Sequence, residues 1–125
     1  AQRSIRQFSG GESQRVMFAR ALVQETDFIL LDEVTAYLDI NHAIAIMQTM
    51  KALVDSGKTV IAALHDLNMA LSFCDHVAVL DSGRVHRFGK ASEVINDRLV
   101  ADIYQVASVV VKTDDGGAHL SFKYQ

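Results

Sequence analysis

Apolar residues follow two spacings along this chain, and the changes from one to the other mark its elements. From Glu12 to Gln24 the spacing is helical, with Val16, Ala19 and Val23 at i, i+3 and i+7. Ser9-Gly10-Gly11 stands just before it, a good helix entry and poor helix interior. Phe28-Ile29-Leu30-Leu31 is an unbroken apolar run, which predicts a strand buried on both faces of a parallel sheet. It ends abruptly in Asp32-Glu33. Asn41 to Val54 predicts a helix whose apolar face includes Ile44, Met47, Leu53 and Val54, with Ser56-Gly57 as its stop. Thr59 to Leu64 predicts a second buried strand, ending at His65-Asp66, and Asp66 suits the N-cap of a short helix from Leu67 to Phe73.

Beyond Phe73 the elements shorten. Val77 to Leu80 and Val85 to Phe88 flank Asp81-Ser82-Gly83 and predict a β-hairpin. Ala91 to Ile95 and Leu99 to Tyr104 predict short helices. Val109 to Val111 and Leu120 to Phe122 flank Asp114-Asp115-Gly116-Gly117, a strong turn signal for a second hairpin. Strands that alternate with helices imply an α/β fold with a largely parallel sheet. Ligands of such sheets gather at the carboxyl ends of the strands, the edge that Asp32-Glu33 and His65-Asp66 share.

Composition narrows this only modestly. The chain has 125 residues and is 50% apolar, enough for one ordinary domain. No apolar run approaches the ~18 residues of a membrane span, and nothing at the start resembles a signal peptide. A net charge of −3 with mixed signs gives no reason to expect a nucleic-acid or anionic-membrane surface. Cys74 is the single cysteine, which excludes an intrachain disulfide and a multi-thiolate zinc site, fits a reducing compartment, and suggests a small core residue. The sequence begins at Ala1 and so reads as an excerpt of something longer. It also contains no proline, where average usage of about 5% predicts roughly six.

Three groups carry candidate chemistry. Asp32 and Glu33, delivered by an apolar strand to the ligand edge, suit a magnesium–nucleotide site: Mg²⁺ prefers oxygen ligands and keeps several waters, and phosphoryl transfer depends on positioning and charge. Carboxylates also end strands for solubility alone. His65 at the same edge could reach a terminal phosphate, or form a structural pair with Asp66. A His-Asp metal phosphohydrolase would need further ligands at helical positions, and none is evident. Ser9-Gly10-Gly11 before a helix offers unpaired N–H groups to an anion, or serves simply as a helix cap. His42, His76, His86 and His119 share no ligand spacing and read as surface or packed residues. No Gly-x-x-x-x-Gly-Lys-Ser/Thr phosphate loop occurs.

The ordered set is more specific than its parts. Phe8-Ser9-Gly10-Gly11-Glu12, the Walker B-like run Phe28 to Glu33, the D-loop-like Ala36-Tyr37-Leu38-Asp39 and the switch-like His65 together resemble the C-terminal part of the ATPase subunit of ATP-binding-cassette (ABC) transporters. Leu38-Asp39-Ile40, His65 to Ala70, Cys74-Asp75-His76 and Gly83-Arg84-Val85 through Phe88-Gly89 are most similar to importers of iron–siderophore, haem or cobalamin.

That resemblance implies the C-terminal portion of a RecA-like P-loop NTPase fold, incomplete without its phosphate-loop half. Residues 1–24 would hold the signature segment and its helix, 25–90 part of the ATPase core, and 91–125 the C-terminal helices and hairpin. It implies ATP and Mg²⁺ as cofactors, with Asp32 holding Mg²⁺ through water, Glu33 as catalytic carboxylate and His65 on the γ-phosphate. Ser9, Gly10, Gly11 and Glu12 would form the signature contacting ATP held by a second ATPase subunit in a head-to-tail sandwich, and Asp39 would couple the two sites. Permease subunits would be further partners, placing the protein on the cytoplasmic face of the membrane. Nucleic acid is not expected, and the chain alone is expected to be inactive and to self-associate through uncovered apolar surface. Val34 stands where the family usually has proline, whose fixed φ would stiffen the turn, which implies a looser D-loop. Two other readings remain: the C-terminal lobe of a chromosome-maintenance or DNA-repair ATPase of the same superfamily, and a trimmed or engineered module without catalysis.

Overall fold

The structure, a computed structural model, describes residues 26–124. The predicted signature Ser9-Gly10-Gly11-Glu12 and its helix lie outside the described residues. The chain divides between His65 and Asp66 into two units.

The described part of the first unit is a strand–helix–strand crossover. Strand β1 (Phe28–Asp32) pairs in parallel with β2 (Thr59–Ala63), in register from Phe28↔Thr59 to Asp32↔Ala63. Helix α1 (Ile40–Asp55) connects them, as a parallel pair requires. Asp39 caps α1, and Gly57 ends it at φ 103°, donating its N–H to the Val54 carbonyl at 3.0 Å. Glycine adopts that backbone without a Cβ clash.

Two sequence expectations need correction here. The buried stripe of α1 is Ala43, Ile46, Met47 and Met50, the i, i+3, i+4, i+7 set of one helix face. Met47 belongs to it, whereas Ile44 is exposed and Leu53 and Val54 are half-buried. Nor is β1 buried on both faces. Ile29 and Leu31 are buried, while Phe28 and Leu30 are 67% and 74% exposed, and Ile61 of β2 is 57% exposed. Alternate side chains of a strand point to opposite faces, and in the described two-stranded sheet only one face is covered.

The second unit begins with α2 (Leu67–Phe73), capped as expected by Asp66, whose Oδ1 accepts from the backbone N–H groups of Asn68 at 2.9 Å and Met69 at 3.1 Å. Strands β3 (His76–Asp81) and β4 (Arg84–Lys90) form the first hairpin. Its turn residues Ser82 and Gly83 have φ of 51° and 76°, the paired positive values of a tight hairpin turn. Helices α3 (Ala91–Val94) and α4 (Asp97–Leu99) follow, and the short helix expected over Leu99 to Tyr104 continues from α4 as a π-helical turn, Val100–Tyr104. Gln105, at φ 58°, closes that turn. Leu99 and Val100 are fully buried, whereas Cys74 is half-buried rather than a core residue.

Strands β5 (Ser108–Lys112) and β6 (Ala118–Phe122) form the second hairpin. Hydrogen bonds from Lys123 N–H to Ala107 and from Thr113 N–H to Gly117 fix its ladder. Alternation between bonded and non-bonded pairs then leaves Leu120 with its N–H and C=O turned away from β5. Asn68 of α2 takes both. Its Nδ2 donates to the Leu120 carbonyl at 3.1 Å, and the Leu120 N–H donates to its Oδ1 at 2.7 Å. One carboxamide thus acts as a one-residue strand against β6.

Candidate functional site

Parallel pairing carries Asp32 and His65 to the same end of the β1–β2 sheet. The ladder runs one step past β1, where the Glu33 N–H donates to the Ala63 carbonyl at 3.1 Å. The chain then turns sharply: Glu33 adopts φ 51°, and its carbonyl accepts from the Ala36 N–H at 2.9 Å. A non-glycine residue in this left-handed region is strained, and such strain persists where surroundings over-determine it. Val34, only 1% exposed, buries its side chain immediately afterwards. The turn lacks the ring constraint of proline, and Val34 packs its side chain into the core at this point.

This backbone brings together two predicted site residues that stand 32 positions apart. His65 Nε2 lies 2.7 Å from Glu33 Oε1, with their side chains 80% and 45% exposed. The pair is open to a ligand from solvent. The alternative structural pairing of His65 with Asp66 is not the one formed, since Asp66 spends its Oδ1 on the α2 cap. Asp32 is exposed at the end of β1, beside this pair in sequence. Its oxygen donors fit a hard cation such as Mg²⁺. Among the described residues no three His, Cys, Asp or Glu side chains converge as a ready-made metal cage, so a cation here would complete its shell with water and ligand oxygens.

Asp39, the N-cap of α1, makes its contacts with His42. Its Oδ1 accepts from the His42 backbone N–H at 2.8 Å and also lies 2.8 Å from His42 Nδ1. The backbone bond first, and the ring second, hold the Asp39 carboxyl below the usual carboxylate range. The sequence reads His42 as a surface or packed residue, and the structure leaves it exposed with its ring on the cap. The signal for its partner is its place three residues after the N-cap acid, a spacing that makes side chains neighbours on a helix.

Gly57-Lys58-Thr59 is the one glycine–lysine–threonine word in the sequence, and its placement excludes it as a phosphate cradle. It leads into a strand rather than a helix, and Lys58 Nζ donates to the Thr26 carbonyl at 2.8 Å at the opposite end of the sheet from Glu33.

This is an α/β arrangement with a carboxylate pair and a histidine at the carboxyl edge of a parallel sheet, the edge where ligands of such sheets gather, and comparison identifies the family. A family profile described as ABC transporter matches residues 1–36, and the chain belongs to the ABC transporter family, matching part of longer relatives. It is 43% identical over 117 residues to the hemin import ATP-binding protein HmuV of Agrobacterium fabrum, covering 87% of this chain and 45% of that protein. It is likewise 43% identical over 115 residues to the cobalamin import ATP-binding protein BtuD of Halobacterium salinarum, covering 91% of this chain and 29% of that protein. The chain therefore spans less than half the length of these curated relatives. Among solved structures, a metal-chelate type ABC transporter in an inward-facing conformation superposes over 100% of this chain and 51% of its own, with TM-score 0.80 and 21% identity, a likeness of fold. The ATP-binding cassette MJ0796, solved as a dimer in a post-hydrolysis state with ADP and Pi, matches 69% of this chain and 37% of its own, with TM-score 0.63 and 40% identity. The fold is thus α/β, part of the P-loop ATPase architecture of ABC proteins.

Proposed function

We propose that this chain supplies two half-sites of the ATPase subunit of an ABC importer. Asp32, Glu33 and His65 serve a nucleotide held on a phosphate loop that this sequence does not contain. Ser9, Gly10, Gly11 and Glu12 serve the nucleotide of a second, head-to-tail subunit, and Asp39 couples the two. The observation that carries this reading is the 2.7 Å contact between Glu33 and His65 at the carboxyl edge of the parallel sheet.

Bound Mg²⁺, held by Asp32 through water, would supply charge neutralisation for the phosphates. The chain's own part is positional. Glu33, rotated out of the strand by its left-handed backbone, presents a carboxylate to accept hydrogen bonding from an attacking water. His65 donates from Nε2 to that carboxylate, fixing its orientation. A γ-phosphate competes with Glu33 for the same imidazole, so nucleotide arrival frees Glu33 toward the water.

The cargo class we infer is haem, cobalamin or an iron–siderophore, in keeping with the names of the relatives. Those names also favour the importer over a chromosome-maintenance or DNA-repair ATPase, and over a module without catalysis. Permease subunits at the cytoplasmic face of a membrane are the corresponding partners; among the described residues no helix is long and apolar enough to cross one.

Two results test this. The purified chain is expected to show no ATP turnover, whereas the complete ATPase, in which it is joined to a phosphate-loop half, hydrolyses ATP; robust Glu33-dependent hydrolysis by the chain alone would contradict it. The uncovered face of Phe28, Leu30 and Ile61 is expected to drive self-association of the chain. Light scattering should show mass rising with concentration, and Leu30→Lys should reduce it; a monomer at all concentrations sinks the idea.

A further inference from the structure

Asp39 Oδ1 receives two contacts from a single residue, the His42 N–H at 2.8 Å and His42 Nδ1 at 2.8 Å. The first is an ordinary N-cap bond. The second is not, because in a capping box the side chain three residues on turns back to the cap residue's backbone N–H. Here the imidazole lies on the carboxylate itself. A neutral ring donates in this way only with its proton on Nδ1, so the contact selects one tautomer. Both bonds end on Oδ1, and Oδ2 takes neither. The Asp39 side chain remains 64% exposed. The backbone entering this point is constrained as well: Tyr37, two residues before Asp39, adopts φ 63°, an uncommon conformation for a non-glycine residue. A helix cap needs only the backbone bond. The ring contact adds a second anchor, which fixes the plane of the carboxylate.

We propose that His42 is a positioning residue for Asp39. Its Nδ1–H locks Oδ1 so that Oδ2 is presented as the acceptor for an N–H or O–H donor on a second ATPase subunit, and this sets how strongly the two nucleotide sites are coupled. The inference rests on the head-to-tail pairing proposed above and adds the residue that aims its coupling acid.

Two variants separate this role from simple capping. His42→Ala removes the ring and keeps the backbone N–H that caps α1, so folding is retained. His42→Asn places an amide N–H near the position of Nδ1. In the 125-residue chain, nitrogen NMR above the imidazole titration range is expected to show His42 protonated at Nδ1, and Asp39→Ala to return it to the ordinary Nε2–H form. In the complete ATPase, His42→Ala is expected to bring the Hill coefficient for ATP toward one and lower kcat about three- to tenfold at unchanged KM, with His42→Asn restoring both. An Nε2–H tautomer in the unmutated chain, wild-type cooperativity and kcat in His42→Ala, or failure of His42→Asn to restore them each overturns the proposal. Absence of any Glu33-dependent hydrolysis in the complete ATPase would instead overturn the ATPase reading, and the coupling role with it, while the tautomer measurement reads the clamp independently.

Discussion

Glu33→Gln in the complete ATPase is expected to lower kcat by about 10²–10⁴-fold, the usual range for loss of a positioned general base, with ATP binding close to wild type. The amide is nearly isosteric and still meets His65 Nε2, which lies 2.7 Å from Glu33 Oε1, so the turn and its left-handed backbone are retained. What disappears is the anionic acceptor for the attacking water. Single-turnover hydrolysis alongside equilibrium ATP binding makes the distinction: a fall in both would mark Glu33 as structural, and unchanged hydrolysis would remove it from the chemistry.

Asn68→Ala is expected to destabilise the second unit by about 2–4 kcal/mol, from two lost hydrogen bonds and two orphaned backbone groups. Leu120 is 2% exposed, so water does not readily replace the carboxamide that pairs with its N–H and C=O. Denaturant unfolding gives the magnitude, and hydrogen exchange at the Leu120 amide gives the location. A loss below about 0.5 kcal/mol, the low end for one hydrogen bond, would mean that hairpin and helix do not depend on each other.

That pairing also shows where sequence reading stops. Element positions were legible because local signals agree: Asp66 before α2, Ser56-Gly57 after α1, and Ser82-Gly83 between β3 and β4 each sit where their backbone demands. The candidate pair was legible in part. Apolar runs ending in Asp32-Glu33 and His65 placed both groups at one edge, yet their contact depends on Glu33 leaving the strand at φ 51°, which no local pattern announces. The exposed face of β1 was misread because an unbroken apolar run describes a strand's capacity for burial, whereas the layer that covers it comes from elsewhere. Ile44 was misassigned for a related reason. A helix this rich in apolar residues offers more than one stripe, and packing against β2 selects Ala43, Ile46, Met47 and Met50. Asn68 and Leu120, separated by 52 positions, give no sequence signal of their pairing at all.

The central claim is that Asp32, Glu33 and His65 serve one nucleotide while Ser9-Gly10-Gly11 serves another. Mixed dimers of the complete ATPase test it most directly, with Glu33→Gln and Gly10→Asp placed either on one subunit or on opposite subunits. Opposite placement concentrates both defects in a single site and leaves the other intact, so measurable ATP hydrolysis should persist. Placement on one subunit damages both sites and should abolish it. The reverse ranking, with hydrolysis surviving only when both substitutions share a subunit, would show that the motifs form one site within the chain and would contradict the account.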